Sequence, residues 1–355
     1  MNENPVPPTP DAQPATPAAP VHRRRPRYSG KNPRRFEEKY KEHAPERYTE
    51  TVAKVLASGK TPAGTHRSIM VQEILEVLAP KPGDVAADCT LGFGGHAREI
   101  LSRIQPGGRL LGLDVDPIEL PKTEARLRGL GFGPEALSVY RSNYAGLPQV
   151  LTGAGFDGAD VILADLGISS MQIDDPARGF SVKTDGPLDM RMNPQRGQPA
   201  SVFLQKIDST ELATLLVENA DEPQASTLAP LLAGKYFATT TALCNAIRGA
   251  LPKTAGEERN LTIRRVFQAL RIAVNDEFSA LDTYLRVLPY CLKPGGRVAI
   301  LTFHSGEDRR VKKAFQAGER DGTYSKIAQE VVRPSQQERH DNPRSTPAKL
   351  RWAIR

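Results

Sequence analysis

The chain is short of several things, and each shortage excludes a class. It has three cysteines in 355 residues, Cys89, Cys244 and Cys291, and they lie far apart. That spacing offers no CxxC pair, no zinc set and no even framework of disulfides, so a reduced, cytoplasmic protein is expected. No run of about 18 apolar residues occurs, which excludes a membrane-spanning helix. The opening MNENPVPPTPDAQPATPAAP has no apolar centre, so no secretory signal is read there. Charge is in small excess, +7 overall, and it is unevenly placed. Residues 1–66 hold 12 Lys+Arg and 7 Asp+Glu, a balance of +5, which leaves +2 for the other 289 residues. Hydrophobic residues make up 39% and charged residues 25%. That composition supports a packed core, and the length suits two domains or one domain with a large insertion.

Residues 1–62 are set apart by composition. The first 20 contain seven prolines and four alanines and cannot bury enough apolar surface to offset the entropy of ordering, so disorder is expected. Residues 21–35 (VHRRRPRYSGKNPRR) carry seven basic and no acidic side chains. Residues 34–58 show weak helical patterning through Tyr40, Tyr48, Val52, Val55 and Leu56. The basic block reads either as a solvated tail or as an arm that anchors RNA through counterion release. If it is an arm, deleting residues 1–60 lowers RNA affinity and flattens its salt dependence, which a binding series at several ionic strengths measures.

From Ile69 the pattern is regular. Ile69, Ile74, Leu75, Val77 and Leu78 predict a helix stopped by Pro80-Lys-Pro82-Gly83. Buried strands are predicted at 85–90, 109–114, 137–141 and 161–165, with helices at 96–104 and 117–128 between them. Residues 172–195 read as a long ordered loop, and 198–286 as helices, the clearest being Leu261–Leu285 with Ile263, Val266, Phe267, Leu270 and Val274 on one face. The sheet pattern resumes at 295–303, a helix follows from Glu307 to Phe315, and a last strand falls at 349–354. Alternating strands and helices indicate an open parallel sheet with helices on both faces. The expected organisation is an α/β domain over 63–175 and 287–355, with a helical insertion over 176–286.

The first chemistry lies in Asp88-Cys-Thr-Leu-Gly92-Phe-Gly94-Gly95-His96-Ala97. Glycines let the backbone approach a ligand and present bare N–H groups near a helix start. Asp114 ends the next strand, 20 residues past Gly94, where a carboxylate can accept both hydroxyls of a ribose. Gly92-x-Gly94-x-x-Ala97 also fits a dinucleotide turn, so NAD competes with S-adenosylmethionine as the ligand. Two features favour S-adenosylmethionine. Asp88 is placed to meet a positively charged amino group, and the fourth strand ends in a polar loop at Asp165 where a methyl acceptor would lie. The alternative is that Asp88 and Asp114 merely cap strand ends.

The chain resembles the bacterial 16S rRNA (cytosine-N4)-methyltransferases. The resemblance is carried by residues 66–116, by Asp165-Leu-Gly-Ile-Ser-Ser-Met-Gln172 with its continuation to Asp185-Gly-Pro-Leu-Asp189-Met-Arg191, by Arg265–Asn275, by Phe303-His304-Ser305-Gly-Glu307-Asp308-Arg309 and by Asp341-Asn-Pro-Arg-Ser. It covers roughly residues 66–355. It implies a Rossmann-like class I methyltransferase with an inserted helical domain, S-adenosylmethionine as cofactor, and methylation of a cytidine N4 amine in the decoding region of the small-subunit rRNA. Carried over by position, the cofactor contacts are Gly94, Gly95, His96, Asp114, Tyr144, Asp165 and Gln172, with Asp88 beside them. Tyr144 and His96 have ordinary alternatives, core packing and a backbone hydrogen bond at a helix start. The sequence departs from the family pattern at Glu218–Thr227, at Gly306 where leucine is usual, at His66-Arg-Ser-Ile, and over the first 60 residues, for which no counterpart is recognised.

The residues also suggest a mechanism. The cytosine amine is a poor nucleophile, and Asp165 is the candidate to accept its hydrogens and turn the lone pair toward the methyl group; it could instead only hold the cofactor. No metal is required, because Asp174, Asp175 and Asp185 in a Gly/Pro-rich loop read as turn formers. The base must be exposed, in a single strand or by flipping. Arg178, Phe180, Lys183, Arg191 and Arg196 are candidates to contact phosphate and stack the base, with pairing to nearby aspartates as the alternative for Arg178 and Arg191. Arg264, Arg265 and Arg271 are read as surface or RNA contacts, and His304 as a substrate contact or a loop cap. The partner expected is 16S rRNA or the small ribosomal subunit, with no membrane; a homodimer is one option for the oligomeric state. A methyltransferase acting on another RNA or DNA base, and a non-catalytic RNA-binding relative, remain as alternatives. The Asp165-Leu-Gly-Ile loop lacks the paired prolines and aromatic of the N4-specific DNA enzymes.

Overall fold

The computed structural model describes residues 68–252 and 254–355. The extension expected to be disordered over 1–62, the helical pattern at 34–58 and the basic block lie outside the described residues. The strands are β1 (Val85–Asp88), β2 (Arg109–Asp114), β3 (Leu137–Arg141), β4 (Ala159–Asp165), β5 (Leu292–Thr302), β6 (Lys326–Ile327) and β7 (Lys349–Ile354). They form one seven-stranded sheet in the order β3-β2-β1-β4-β5-β7-β6. Strands β1 to β5 pair in parallel, and β7 runs antiparallel to β5 and β6.

Burial explains why these segments are strands. Every residue of β1 is buried, as a strand covered on both faces requires. One face carries Leu147, Leu151, Leu281, Tyr284, Leu288, Val311 and Phe315. The other carries Ile74, Leu78, Ile100, Leu101, Ile104 and Leu127. Leu110, Leu111 and Leu113 of β2 are fully buried, each contributing roughly 1.5–3 kcal/mol relative to exposure. Helix α1 (Val71–Leu78) and α2 (Gly95–Ile104) cover the second face, together with α3 (Leu120–Gly129). Helix α4 (Leu147–Gly153) lies on the first. From β1 the chain builds β2 and β3 to one side and β4 and β5 to the other. The order therefore reverses at β1 and β4, and a crevice opens outside their carboxyl ends.

After β4 come α5 (Ser170–Asp174) and a single 3-10 turn at Pro176–Arg178. The helical block follows as α6 (Ala200–Lys206), α7 (Ser209–Ala220), α8 (Ala225–Leu232), α9 (Thr240–Ala250) and α10 (Gly256–Val274). It has its own core, running from Phe180 to Leu270. The predicted continuous helix over 261–285 is two helices, α10 and α11 (Glu277–Cys291). Asn275 breaks it. Its Nδ2 donates to the Met190 and Arg271 carbonyls at 2.7 and 2.9 Å, and its Oδ1 accepts the Met192 N–H at 2.7 Å. Asp276 then takes the left-handed conformation, φ 56°. Helix α11 packs on the sheet through Leu281, Tyr284 and Leu288. The helical insertion thus ends near 275, not 286, because the apolar face changes core there. Helix α12 (Ser305–Arg320) and the short α13 (Gln336–Asp341) complete the chain.

Candidate active site

A cleft of about 1340 Å³ occupies the crevice. Its first wall is the turn from β1 into α2. The Gly92 N–H donates to Asp114 Oδ2 at 2.7 Å, and the Asp116 N–H donates to Asp114 Oδ1 at 2.9 Å. A carboxylate offers about four lone-pair positions, so each Asp114 oxygen keeps one for an incoming hydroxyl. Burial raises the pKa of Asp114, the backbone N–H groups of Asp116, Gly92 and Val115 opposing it. Gly94 is left-handed at φ 81°, and a Cβ there would lie 2.9 Å from Thr123 Cγ2. A Cβ on Gly95 would fall 1.9 Å from Ser68 Oγ. Gly94 lets the turn pack closely on α3 and Gly95 lets it pack on the chain before α1, and the bare backbone they leave lines the cleft.

Asp165 ends β4 beside this turn. Its N–H donates to Thr90 Oγ1 at 2.7 Å, which ties β4 to the β1 loop. Its side chain keeps 27% of its surface open. Burial, and then the nearby Glu307 carboxylate, push its pKa up to about 7. His96 lies with Nδ1 3.6 Å from Asp165 Oδ2 and Nε2 2.9 Å from the Ile69 carbonyl. The carbonyl assigns the ring proton to Nε2. Burial lowers the pKa of His96, so the ring stays neutral near pH 7. It is a helix-start residue bonded to backbone that also lines the cleft.

Tyr144, Gln172, Gly94, Gly95, His96, Asp114 and Asp165 all line the same cleft. Tyr144 donates its hydroxyl to the Glu277 carbonyl at 3.2 Å and packs its ring on Tyr284 at 5.3 Å. Gln172 closes a capping box with Ser169 and donates Nε2 to Asp116 Oδ2 at 2.8 Å. Asp88 differs from expectation. It is 1% exposed, beneath the turn, with Oδ1 accepting the Thr90 N–H at 3.1 Å. Burial pushes its pKa up to about 6. It supports the turn from below and does not line the cleft.

The loop residues expected to face RNA divide sharply. Arg178 is 7% exposed and pairs with the buried Asp116 at 2.8 Å, and its Nη2 donates to the Arg191 and Met192 carbonyls. Phe180 is buried in the helical core. Neither is free to meet a substrate, because each anchors the loop from inside. Arg191 forks onto Asp189 through Nε at 2.8 Å and Nη2 at 2.7 Å. Arg271, read as a surface or RNA-contacting residue, instead forms a two-pronged pair with Glu277, both contacts at 2.8 Å. His304 sits under Phe278 with Nε2 3.1 Å from Glu307 Oε1, closer to the loop-capping alternative. Lys183 is exposed and lines the cleft.

Some site residues were not singled out from sequence. Asp116, Asn275, Glu277 and Glu307 all stand within motifs that carry the resemblance or directly beside them; Asp116 meets Gln172 and Arg178, and Asn275 meets Met190 and Met192, far along the chain, while Glu277 and Glu307 pair locally with Arg271 and His304. Burial raises the pKa of Glu307; His304 and Arg271 outweigh it and hold the carboxyl below its ordinary range. Gly306 packs closely on a distant part of the chain: a Cβ there would lie 2.6 Å from Phe278 Cζ, so a leucine would require the Phe278 ring to shift.

A glycine turn after β1, an acid closing β2, an acid closing β4 and this strand order define a Rossmann-like methyltransferase with an inserted helical domain. Residues 63–355 match the MraW methylase family, and the chain belongs to it. It is 50% identical over 352 residues to ribosomal RNA small subunit methyltransferase H 1 of Lachnoclostridium phytofermentans, covering 97% of this chain and 96% of that protein. It is 49% identical over 341 residues to ribosomal RNA small subunit methyltransferase H 2 of Alkaliphilus metalliredigens, covering 94% and 97%. With ribosomal RNA small subunit methyltransferase H of Rubrobacter xylanophilus the identity is 38% over 314 residues, covering 82% and 96%. The first two alignments are too long to stop at residue 63, so much of the N-terminal extension does have counterparts, contrary to the expectation from sequence.

Proposed function

We propose that this protein transfers a methyl group from S-adenosylmethionine to the N4 amine of a cytidine in the decoding region of 16S rRNA, in the cytoplasm. The reading rests chiefly on Asp165, a partly open carboxyl poised near neutrality beside the glycine turn, in the cleft that Asp114 also lines. The residues suit this cofactor. Asp114 offers acceptors for the ribose, Tyr144 an aromatic wall, and the Gly94-Gly95 turn a bare backbone. When bound, S-adenosylmethionine supplies a methyl carbon made electrophilic by its sulfonium. Asp165 accepts a hydrogen bond from the amine, directs its lone pair, and holds the proton the amine gives up. With its pKa near 7, it is ionised often enough to accept and basic enough to keep the proton. Alignment of the two reactants supplies the larger share, since well-oriented groups gain roughly 7–11 kcal/mol.

Deleting the gene and mapping rRNA modifications by mass spectrometry tests this. The expected result is loss of one N4-methylcytidine, restored by the wild-type chain and not by Asp165→Asn. An unchanged modification map overturns it.

A further inference from the structure

We propose that Arg141, Lys183, Arg196 and Arg264 form a phosphate track that carries a single RNA strand across the cleft and between the two domains, an assignment that rests on the function proposed above. All four are exposed and line the cleft. They come from three places: the end of β3, the long loop, and helix α10 of the insertion.

Pairing separates these cations from their neighbours. Arg178, Arg191, Arg271 and Arg344 are held by carboxylates at 2.8, 2.7, 2.8 and 2.8 Å. Among the described residues, no acid stands within ion-pair distance of the four track residues; the side chain of Arg141 reaches only the neutral Gln195, at 3.4 Å. Their charge is therefore uncommitted. Among the described residues one exposed acid, Asp276, shares the rim with the four cations. Four uncommitted cations drawn from both domains suit a ligand with several phosphates better than a lone nucleoside. A single strand fits best, because its base can enter the crevice toward Asp165 without first being unpaired.

The test uses the full chain and an unstructured RNA oligonucleotide with one cytidine. Each cation is changed to glutamine, singly and together, and affinity is followed by fluorescence anisotropy across a salt series. The slope of log affinity against log salt should fall by ~0.7 for each residue and by about 3 for the quadruple variant. Adenosylmethionine affinity by calorimetry should stay at the wild-type value, and Arg103→Gln, which removes a cation paired with Glu99 at 3.0 Å on helix α2, should leave the slope unmoved. If the quadruple variant unfolds, the four single slopes decide. Unchanged slopes in folded variants overturn the track, as does tighter binding of a matching duplex. If the slopes fall as stated but the wild type methylates no RNA, the proposed reaction fails and the track stands. If the wild type methylates RNA and the slopes do not move, only the track fails.

Discussion

Asp165→Asn should slow methyl transfer by orders of magnitude and at the same time make the folded protein more stable above neutral pH. Folding moves this carboxyl from an ordinary value of 3.8 to about 7. Since the folded pKa lies above the unfolded one, ionisation costs the folded state. Below about pH 4 both states are protonated and the cost is absent; it grows as pH rises and is complete above about 7. One pKa unit is worth about 1.4 kcal/mol, so a shift of this size has a ceiling near ~4 kcal/mol, reduced by the part of the carboxyl that meets solvent. Asparagine removes that cost. Its melting temperature should exceed the wild type's by several degrees at pH 8, with the gain shrinking toward pH 4.5. Turnover should fall by roughly 10²–10⁴, the range for loss of a positioned proton acceptor. Wild-type turnover should rise with pH and level off near 7 or below it, because the bound sulfonium favours the ionised form. Near-normal turnover in Asp165→Asn would remove it from the mechanism, and equal melting at pH 8 would remove the burial argument.

The parts of the fold legible in the sequence were those where a local pattern suffices. Apolar runs marked β1 to β5 and β7, and the turn glycines stood where β1 passes into α2. The misses came from interactions that span the chain. Nothing local shows that Arg178 reaches Asp116, 62 residues earlier; in a loop of Asp, Gly and Pro, an arginine and a phenylalanine read as exposed. The helix over 261–285 kept its apolar period across Asn275, because α10 and α11 both bury residues at helical spacing, one in each core. Only the bonds from Asn275 to the long loop reveal the break. Strand β6, two residues long, has no period to detect. Asp88 was read as a contact for a charged amino group, and it lies buried beneath the turn, since sequence order does not say which side of a turn a carboxyl occupies.

Arg178→Met separates a loop latch from an RNA contact. Asp116 is 1% exposed; its Oδ2 accepts both Arg178 Nη1 and Gln172 Nε2, and its Oδ1 accepts the Ile118 N–H. Removing the guanidinium leaves a buried carboxylate short of its countercharge and two loop carbonyls, those of Arg191 and Met192, without donors. Breaking one side of a buried pair costs about 3–5 kcal/mol, which in a protein of this size lowers the melting temperature on the order of ten degrees. Met192 lines the cleft, so turnover should fall as well. The salt slope of RNA binding should not change, because the lost charge never faced phosphate. Asp116→Asn combined with Arg178→Met should recover part of the stability, since both charges leave together. An arginine that bound RNA would behave in the opposite way: melting would stay within about 0.5 kcal/mol of wild type, and the slope would drop by ~0.7.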